Sequence, residues 1–312
     1  MRSVPHNLAW TAEQRDSFKP LHYDPTLCWL DTRSADQFCQ VRFERAFPWQ
    51  LPLNPNCLNQ LPNREQPLGL IADVQSVLIY QAWLAEKGYQ LQAWLSPEQF
   101  LQLDSGQWPM VSGPQTRRLW QANPFLIEQL ANALLFPQVI SSDRGSARLA
   151  LDLGCGGGRE AVYLAKQGWQ VVAVDNQAPA LECAMDLARA EQVLVDFRLA
   201  DLTKPCERPS ETFDVIYQLR FLDRNLFDYI ETQLKPGGYV LIETFAEGVQ
   251  AFGSPKNRKF ILQPGELAQR FAHFDIIVDK LGTLSDGRPM NAFLARKPTY
   301  KSRSEYDESK EQ

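Results

Sequence analysis

The chain has 312 residues, a net charge of −5 and a hydrophobic fraction of 44%. This length suggests about two domains of roughly 150 residues each. The acidic balance provides no strong basic field for nucleic acid or an anionic membrane, and no apolar run is long enough for a signal peptide or a membrane span. We therefore expect a cytoplasmic protein that does not bind membranes, with nucleic acid a disfavoured partner and the oligomeric state left open.

The six cysteines lie at positions 28, 39, 57, 155, 183 and 206. They form no C-x-x-C pair and show no spacing typical of metal ligands. The sequence therefore predicts no metal site and reduced thiols.

The first hundred residues alternate between apolar strands and amphipathic helices. Strands are predicted at 27–33, 68–72 and 89–95, and helices at 35–42 and 75–87. This alternation is typical of a small parallel α/β domain. Residues 106–115 are rich in Gly, Pro and Ser and read as a linker. Residues 116–136 look helical but are interrupted at Pro124, which predicts two short helices.

The order of these elements, an early strand ending in Asp31-Thr32-Arg33, and the stretch 46–52 that follows resemble a rhodanese-like domain over residues 8–103. The resemblance implies a sulfur-carrying cysteine in a loop between a strand and a helix. The matching loop, residues 73–76, has no cysteine, and Cys57 precedes the strand instead. Residues 1–105 are therefore expected to be an inactive rhodanese-like domain used for binding, docking or stability.

The second half opens with an apolar strand at 149–153, a glycine-rich turn, a helix and another apolar strand at 171–175. Continuous apolar strands joined by a helix indicate a parallel sheet covered on both faces. Asp175 ends the second strand, where a carboxylate can accept hydrogen bonds from ribose hydroxyls. Arg159 stands where a dinucleotide fingerprint needs its third glycine, and the ending of a P-loop is missing.

The pattern that fits is Asp-x-Gly-x-Gly-x-Gly from Asp152 to Gly158, which resembles motif I of the class I S-adenosylmethionine-dependent methyltransferases. The resemblance implies a Rossmann-like domain over residues 116–297, with a mostly parallel seven-stranded sheet and helices on both faces. It also implies S-adenosylmethionine as the cofactor. The predicted cofactor-binding residues are Asp152, Gly154, Cys155, Gly156, Gly158, Asp175, Asn176, Asp201, Leu202 and Gln218.

The rest of the domain supplies further strands, at 192–199, 213–219, 234–245, 274–279 and 291–296, and a helix at 264–271. The fourth strand delivers Tyr217, Gln218 and Arg220 to the crevice outside the strand ends, where such sheets bind ligands. Tyr217 and Arg220 are candidate substrate residues, as is Trp120 on a helix before the first strand. The insertion 246–262 is a candidate substrate-recognition loop, and its Lys256, Arg258 and Lys259 suit an anionic substrate as well as a solvated loop. The charged tail, 298–312, is predicted to be disordered.

The sequence thus predicts a methyltransferase that acts on a small-molecule acceptor such as a thiol, a chalcogen anion or a small acid. Its closing strands and the stretch 256–267 resemble small-molecule methyltransferases near the tellurite-resistance group. An RNA or protein methyltransferase, and a scaffold that binds S-adenosylmethionine without turnover, remain open. Tyr217, Glu243 and His273 are possible bases, but no motif singles out a catalytic residue.

Overall fold

The computed structural model describes residues 22–49, 58–62, 64–113, 120–132, 148–284 and 286–299. The chain forms two compact units, Met1–Trp120 and Gln121–Gln312. Within the described segments, no helix combines the length and apolar character needed to cross a membrane.

The first unit is built on a parallel sheet of four short strands in the order β3-β1-β4-β5. Its central strands are buried along their whole length. Two of its helices begin at capping boxes, in which Ser34 and Ser96 accept the backbone N–H groups of Gln37 and Gln99. The strands are β1 (Cys28–Asp31), β2 (Arg42–Phe43), β3 (Ala46–Pro48), β4 (Leu68–Ile71), β5 (Leu91–Leu95) and β6 (Met110–Val111), and the helices are α1 (Ala35–Gln40), α2 (Val77–Glu86) and α3 (Pro97–Leu101).

The prediction of a small parallel α/β unit therefore matches the structure, but its boundary does not. β6 lies inside the predicted linker and pairs with β2, so this part of the linker is folded into the first unit. The first unit extends to Trp120. Among the cysteines, Cys39, Cys155 and Cys206 carry free thiols. Cys183 is disulfide-bonded, so the expectation of reduced thiols is wrong for this residue.

The second unit contains a seven-stranded sheet in the order β12-β13-β11-β10-β7-β8-β9. Neighbouring strands from β11 to β9 are parallel, whereas β13 is antiparallel to both β11 and β12. The strands are β7 (Leu149–Leu153), β8 (Gln170–Asp175), β9 (Asp196–Leu199), β10 (Phe213–Leu219), β11 (Leu234–Phe245), β12 (Asp275–Thr283) and β13 (Pro289–Arg296). The helices are α4 (Pro124–Ala131), α5 (Arg159–Lys166), α6 (Ala178–Ala190), α7 (Phe227–Gln233) and α8 (Glu266–Arg270).

Two hydrophobic clusters pack within this unit, and the central strands contribute to both. Alternate residues of β10, for example Ile216 and Tyr217, belong to different clusters, as expected for a strand buried on both faces. The predicted mostly parallel, seven-stranded α/β fold is confirmed. The order of the strands reverses direction between β7 and β10, and in open α/β sheets ligands bind at the carboxyl ends beside this switch.

Candidate active site

The glycine turn after β7 brings the backbone close to its neighbours at two points. A Cβ on Gly154 would lie 2.5 Å from the ring of Phe221, and one on Gly158 would lie 2.6 Å from the Cβ of Ala184. Both glycines also have a positive φ, which side chains disfavour. The turn therefore requires glycine for its conformation and for close packing against a loop and a helix.

Asp175 at the end of β8 fixes this turn. One carboxylate oxygen accepts the N–H of Gly156 at 2.8 Å and the other accepts the N–H of Gln177 at 2.9 Å. Each ionised carboxylate oxygen has two acceptor positions, so Asp175 retains capacity for a pair of ligand hydroxyls. Its position at the rim of a cavity makes that capacity accessible.

A cavity of about 630 Å³ opens at the carboxyl ends of the central strands. This volume lies in the range of small-molecule sites. Five of the predicted cofactor residues line it: Gly154, Asp175, Asn176, Asp201 and Leu202. The other lining residues are Gln177, Ala200, Thr203, Phe221, Leu222, Asp223, Arg224, Asn225, Lys259 and Phe260.

Asp201 is both a turn residue and a cavity residue. Its Oδ1 accepts the backbone N–H and the hydroxyl of Thr203, and these hydrogen bonds lower the pKa of the carboxyl group. Leu202 beside it is buried, and its carbonyl oxygen accepts the guanidinium of Arg208 at 2.7 Å. The position suits an acid and a backbone that read the edge of a base, although the same geometry also serves the turn itself.

The remaining predicted cofactor residues do not line this cavity. Asp152 and Gln218 are buried, and Gly156 and Gly158 belong to the turn. Cys155 packs its thiol into the core, and burial raises the pKa of that thiol. A neutral buried thiol is unreactive, in agreement with the interpretation of Cys155 as a small residue that fills the turn.

Three buried polar side chains lie next to the turn: Asp152, Tyr217 and Gln218. The Asp152 carboxyl and the Tyr217 hydroxyl interact with each other, whereas the oxygen and the nitrogen of the Gln218 amide lack a hydrogen-bond partner within the described residues. Asp152 and Tyr217 are paired residues on adjacent strands. Burial, together with the charge of Glu160, raises the pKa of Asp152 well above its usual range. Buried polar groups without partners are costly, and a bound ligand is one way in which such groups gain partners.

Two carboxylates that the sequence did not single out as a pair converge on this region. The backbone N–H of Asn123 donates to Glu160 at 3.1 Å, and its side-chain amide donates to Glu243. Burial raises the pKa of Glu160. Asn123 also caps α4, where its Oδ1 accepts the N–H of Leu126. The cap signal, Asn before Pro at a helix start, was available in the sequence.

The predicted substrate residues occupy three different environments. Tyr217 is fully buried, and burial raises the pKa of its hydroxyl far above the usual value. Arg220 is exposed and adopts a positive φ of 54°, with its N–H donating to the carbonyl of Glu243 at 2.8 Å. Trp120 is buried and belongs to the first unit. Pro124 does not interrupt a helix but begins α4, and residues 120–123, at the end of the first predicted helix, are not helical. The outer parts of the two predicted helices, residues 116–119 and 133–136, lie outside the described residues.

The three candidate bases differ in burial and in position. Tyr217 retains its proton because burial opposes ionisation. His273 is exposed, lies 3.3 Å from Glu231, and is not among the cavity residues. Glu243 lies half-buried at the carboxyl end of β11, where its neighbour in the sheet is Leu219 of β10. Of the three, only Glu243 is a partly accessible carboxylate at the ligand edge of the sheet.

Comparison with known proteins agrees with this geometry. Residues 150–238 match the family described as "Methyltransferase domain". An uncharacterized protein of Schizosaccharomyces pombe, UNK4.09, is 24% identical over 229 residues, covering 60% of this chain and 66% of that protein. The ubiquinone biosynthesis O-methyltransferase of Brucella melitensis biotype 2 is 28% identical over 153 residues, covering 42% of this chain and 61% of the enzyme. The chain thus spans less than two thirds of the length of these curated relatives.

Among solved structures, TehB from Haemophilus influenzae is similar with a TM-score of 0.45 and 22% identity, over 56% of this chain and 62% of TehB. The segment that matches the family, residues 150–238, contains the glycine turn, Asp175 and Asp201. The second unit therefore carries a methyltransferase domain of the S-adenosylmethionine-dependent class. Its residues fit that cofactor, because a carboxylate with free acceptor positions lines a cavity of suitable size and the buried Gln218 amide has no hydrogen-bond partner among the described residues.

Proposed function

We propose that this protein transfers a methyl group from S-adenosylmethionine to a small-molecule acceptor. The observation that carries the proposal is the cavity at the carboxyl ends of the strands, which Asp175 and Asp201 line next to the glycine turn. When bound, the cofactor supplies an electrophilic methyl group on a sulfonium. Asp175 would hold the ribose hydroxyls, Asp201 and Leu202 the adenine, and Asp152 and Gln218 the methionine part.

Displacement at a methyl group is in-line, so the protein contributes mainly by aligning the two reactants and excluding water. A thiolate or chalcogen anion arrives without a proton to lose and needs no base. For an acceptor that must lose a proton, Glu243 is the residue best placed to receive it. Glu160 and Glu243 lie at this edge of the sheet, and the charges of Arg159 and Arg220 act on Glu160, so the local charge does not discriminate between the predicted acceptor classes.

The net charge of −5 disfavours RNA as the acceptor, because phosphates require cationic contacts. Asp152, Glu160, Asp175 and Glu243 all lie near the glycine turn or the carboxyl ends of the strands. A protein acceptor is a further candidate, and so is a scaffold role in which the protein binds the cofactor without turnover. A scaffold would bind S-adenosylmethionine but release no S-adenosylhomocysteine with any acceptor, and this distinguishes it from an enzyme.

The test is calorimetric titration with S-adenosylmethionine, S-adenosylhomocysteine and NAD. Wild type should bind the first two and not NAD, and Asp175→Ala should weaken binding at least tenfold, since hydrogen bonds to a charged group contribute about 1.5–3 kcal/mol each. Asp175→Asn retains one acceptor oxygen and should bind with intermediate affinity. Asp186→Ala, an exposed residue of α6 paired with Arg189, is the matched control and should bind as wild type does. Binding of NAD alone would overturn the proposal.

We further propose that the first unit is a rhodanese-like domain without sulfurtransferase activity. The loop between β4 and α2 has no cysteine, and the Asp73 carboxylate accepts the N–H groups of Gln75 and Ser76 at 2.9 Å each. These are the backbone donors that a persulfide in this loop would need. Intact mass measured after incubation with thiosulfate should show no added sulfur atom, and a stable persulfide on any cysteine would contradict the proposal.

A further inference from the structure

The insertion after β11 contributes to the wall of the cavity that Asp175 and Asp201 line, whereas Glu243 is not among the lining residues. Lys259 and Phe260 of the insertion line the same cavity as Asp175 and Asp201. In the proposed function these two carboxylates hold the adenosine part of the cofactor. The insertion residues that reach the cavity therefore share it with the groups assigned to adenosine, which differs from the acceptor-binding role that the sequence suggests for this loop.

A single guanidinium group fixes the backbone on both sides of Phe260. The Nη1 of Arg224 donates to the carbonyl of Lys259 at 2.7 Å, and Nη2 donates to the carbonyl of Ile261 at 2.8 Å. Nε and Nη2 of the same side chain also pair with the carboxylate of Glu266 on α8. Arg224 thus connects three segments, and a planar fork of donors is required to do so.

The Phe260 ring is only partly covered by protein. It is 41% exposed, and the ammonium of Lys259 lies 4.6 Å from its centroid. A second exposed aromatic residue of the insertion, Phe252, is 52% exposed but lies outside the cavity lining. An aromatic ring that a rigid backbone holds at a cavity wall offers a planar surface for a flat heterocycle.

We propose that Phe260 covers the adenine of the bound cofactor and that Arg224 is the positioning residue that holds Phe260 in place. The inference rests on the proposed function, because it names a further contact of the same site. It assigns the insertion to cofactor affinity instead of acceptor choice. Loss of the ring should weaken every ligand that contains the adenosine part by a common factor, about two- to tenfold for an aromatic contact.

The experiment measures the dissociation constants of S-adenosylhomocysteine and of 5′-methylthioadenosine, which lacks the amino-acid part. Phe260→Ala should weaken both by the same factor, and Phe260→Tyr should retain the affinity of wild type. Phe252→Ala is the matched control and should leave both constants unchanged. Melting temperatures of all variants exclude loss of fold as the cause.

Arg224 is tested through its dependence on Phe260. Arg224→Lys keeps the charge but not the fork of donors, and should weaken both ligands. The double variant Arg224→Lys with Phe260→Ala should be no weaker than Phe260→Ala alone, because a residue that acts only through the ring has no further effect once the ring is gone. A purely additive loss would overturn the positioning role.

Two failures are distinguishable. If wild type binds neither ligand, the proposed function fails before the variants are compared. If wild type binds both and Phe260→Ala binds them equally well, the proposed function stands and the adenine contact is wrong. A loss confined to S-adenosylhomocysteine would also overturn the inference, because it would place Phe260 beside the amino-acid part.

Discussion

Each unit buries an aspartate at the carboxyl end of a central parallel strand, and the two aspartates differ in whether an arginine pairs with them. Asp31 of β1 receives the backbone N–H of Arg33 and a two-pronged contact from its guanidinium, with distances of 2.7–3.2 Å. The same guanidinium donates to the carbonyl of Val41 and lies 4.1 Å above the ring of Phe100. Asp152 of β7 has no ion-pair partner among the described residues; its carboxyl interacts with the Tyr217 hydroxyl, and the buried Gln218 amide lacks a hydrogen-bond partner.

The difference separates a structural buried charge from a functional one. A satisfied ion pair contributes to the fold of the first unit and leaves no capacity for a ligand. A buried carboxyl group without an ion-pair partner lowers stability when it ionises, and a cationic ligand can compensate for that cost. The comparison predicts that substitutions at the two positions change different measurable quantities.

The largest expected effect is loss of stability when the pair in the first unit is broken. Arg33→Ala leaves the Asp31 charge buried without a partner and should lower the free energy of unfolding of that unit by about 3–5 kcal/mol. Chemical denaturation measures this change. Binding of S-adenosylhomocysteine to the folded protein should not change.

The control is the double variant Asp31→Leu with Arg33→Met, which removes both charges and should recover most of the lost stability. If the double variant is as unstable as Arg33→Ala, packing on Phe100 and the bond to Val41 dominate over the unpaired charge. In that case the unpaired charge of Asp31 is not what destabilises the variant, and the electrostatic contrast between Asp31 and Asp152 is wrong.

The next largest expected effect is at Asp152, where substitution should reduce ligand affinity and leave stability unchanged or higher. Asp152→Asn removes a carboxyl group whose ionisation burial disfavours, so the free energy of unfolding should stay the same or rise. Affinity for S-adenosylmethionine should fall about tenfold or more, since a charged hydrogen-bond partner of the ligand is lost. Asp186→Asn on the surface of α6 should change neither quantity. A destabilisation as large as that of Arg33→Ala would show that Asp152 is structural.

Because the pKa values of two buried carboxyl groups in the second unit are raised, both stability and affinity for the cofactor should depend on pH. Burial raises the pKa of both Asp152 and Glu160 in the folded protein. In the unfolded chain both carboxyl groups have a pKa of about 4. Above that pH the folded state binds more protons than the unfolded state, so this contribution to stability falls as pH rises towards the raised values. Affinity for the cationic cofactor should rise over the same window, because binding favours the ionised carboxylates.

Melting temperatures with and without S-adenosylmethionine, measured from pH 4 upwards, test this linkage. The shift produced by the ligand should grow with pH in wild type and grow less in Asp152→Asn. For Asp73, burial is the largest single influence and raises the pKa, but the hydrogen bonds from Ser76 and Gln75 together lower the pKa below its usual value. The contribution of Asp73 to stability is therefore lost as pH falls below about 4, so at low pH it changes with pH in the opposite direction. A shift that is independent of pH in wild type would contradict the assignment of Asp152 as a ligand group.

The sequence predicts best what short-range pattern determines. The predicted fourth strand of the second unit, residues 213–219, has the observed bounds because a continuous apolar run marks a strand buried on both faces. The predicted third strand begins four residues too early. Val193 donates to the carbonyl of Ala188, and Gln192 has a φ of 56°, so the alternating residues before Asp196 form a turn after α6.

The sequence does not predict contacts between residues far apart along the chain. Asn123 and Glu243 are 120 positions apart, and Arg224 and Glu266 are 42 apart. Nothing local distinguishes Arg224 from a solvated arginine or Glu160 from an ordinary first-turn acid. One compact motif carries half of the predicted cofactor residues, whereas the walls of the cavity come from separate loops that only the fold brings together.

The smallest effect concerns Asn123, which combines both kinds of role. Asn123→Ala removes the cap of α4 and should lower stability by about 1 kcal/mol. Its amide also engages Glu243, so the variant frees that carboxylate, whereas the backbone N–H donated to Glu160 remains. Asn123→Ser keeps a capping oxygen but cannot reach as far, and should restore stability without restoring the contact to Glu243. If Glu243 serves an acceptor that loses a proton, both variants should shift the pH profile of turnover equally, although only the alanine variant is less stable. A shift that follows stability instead would assign Asn123 to the fold alone.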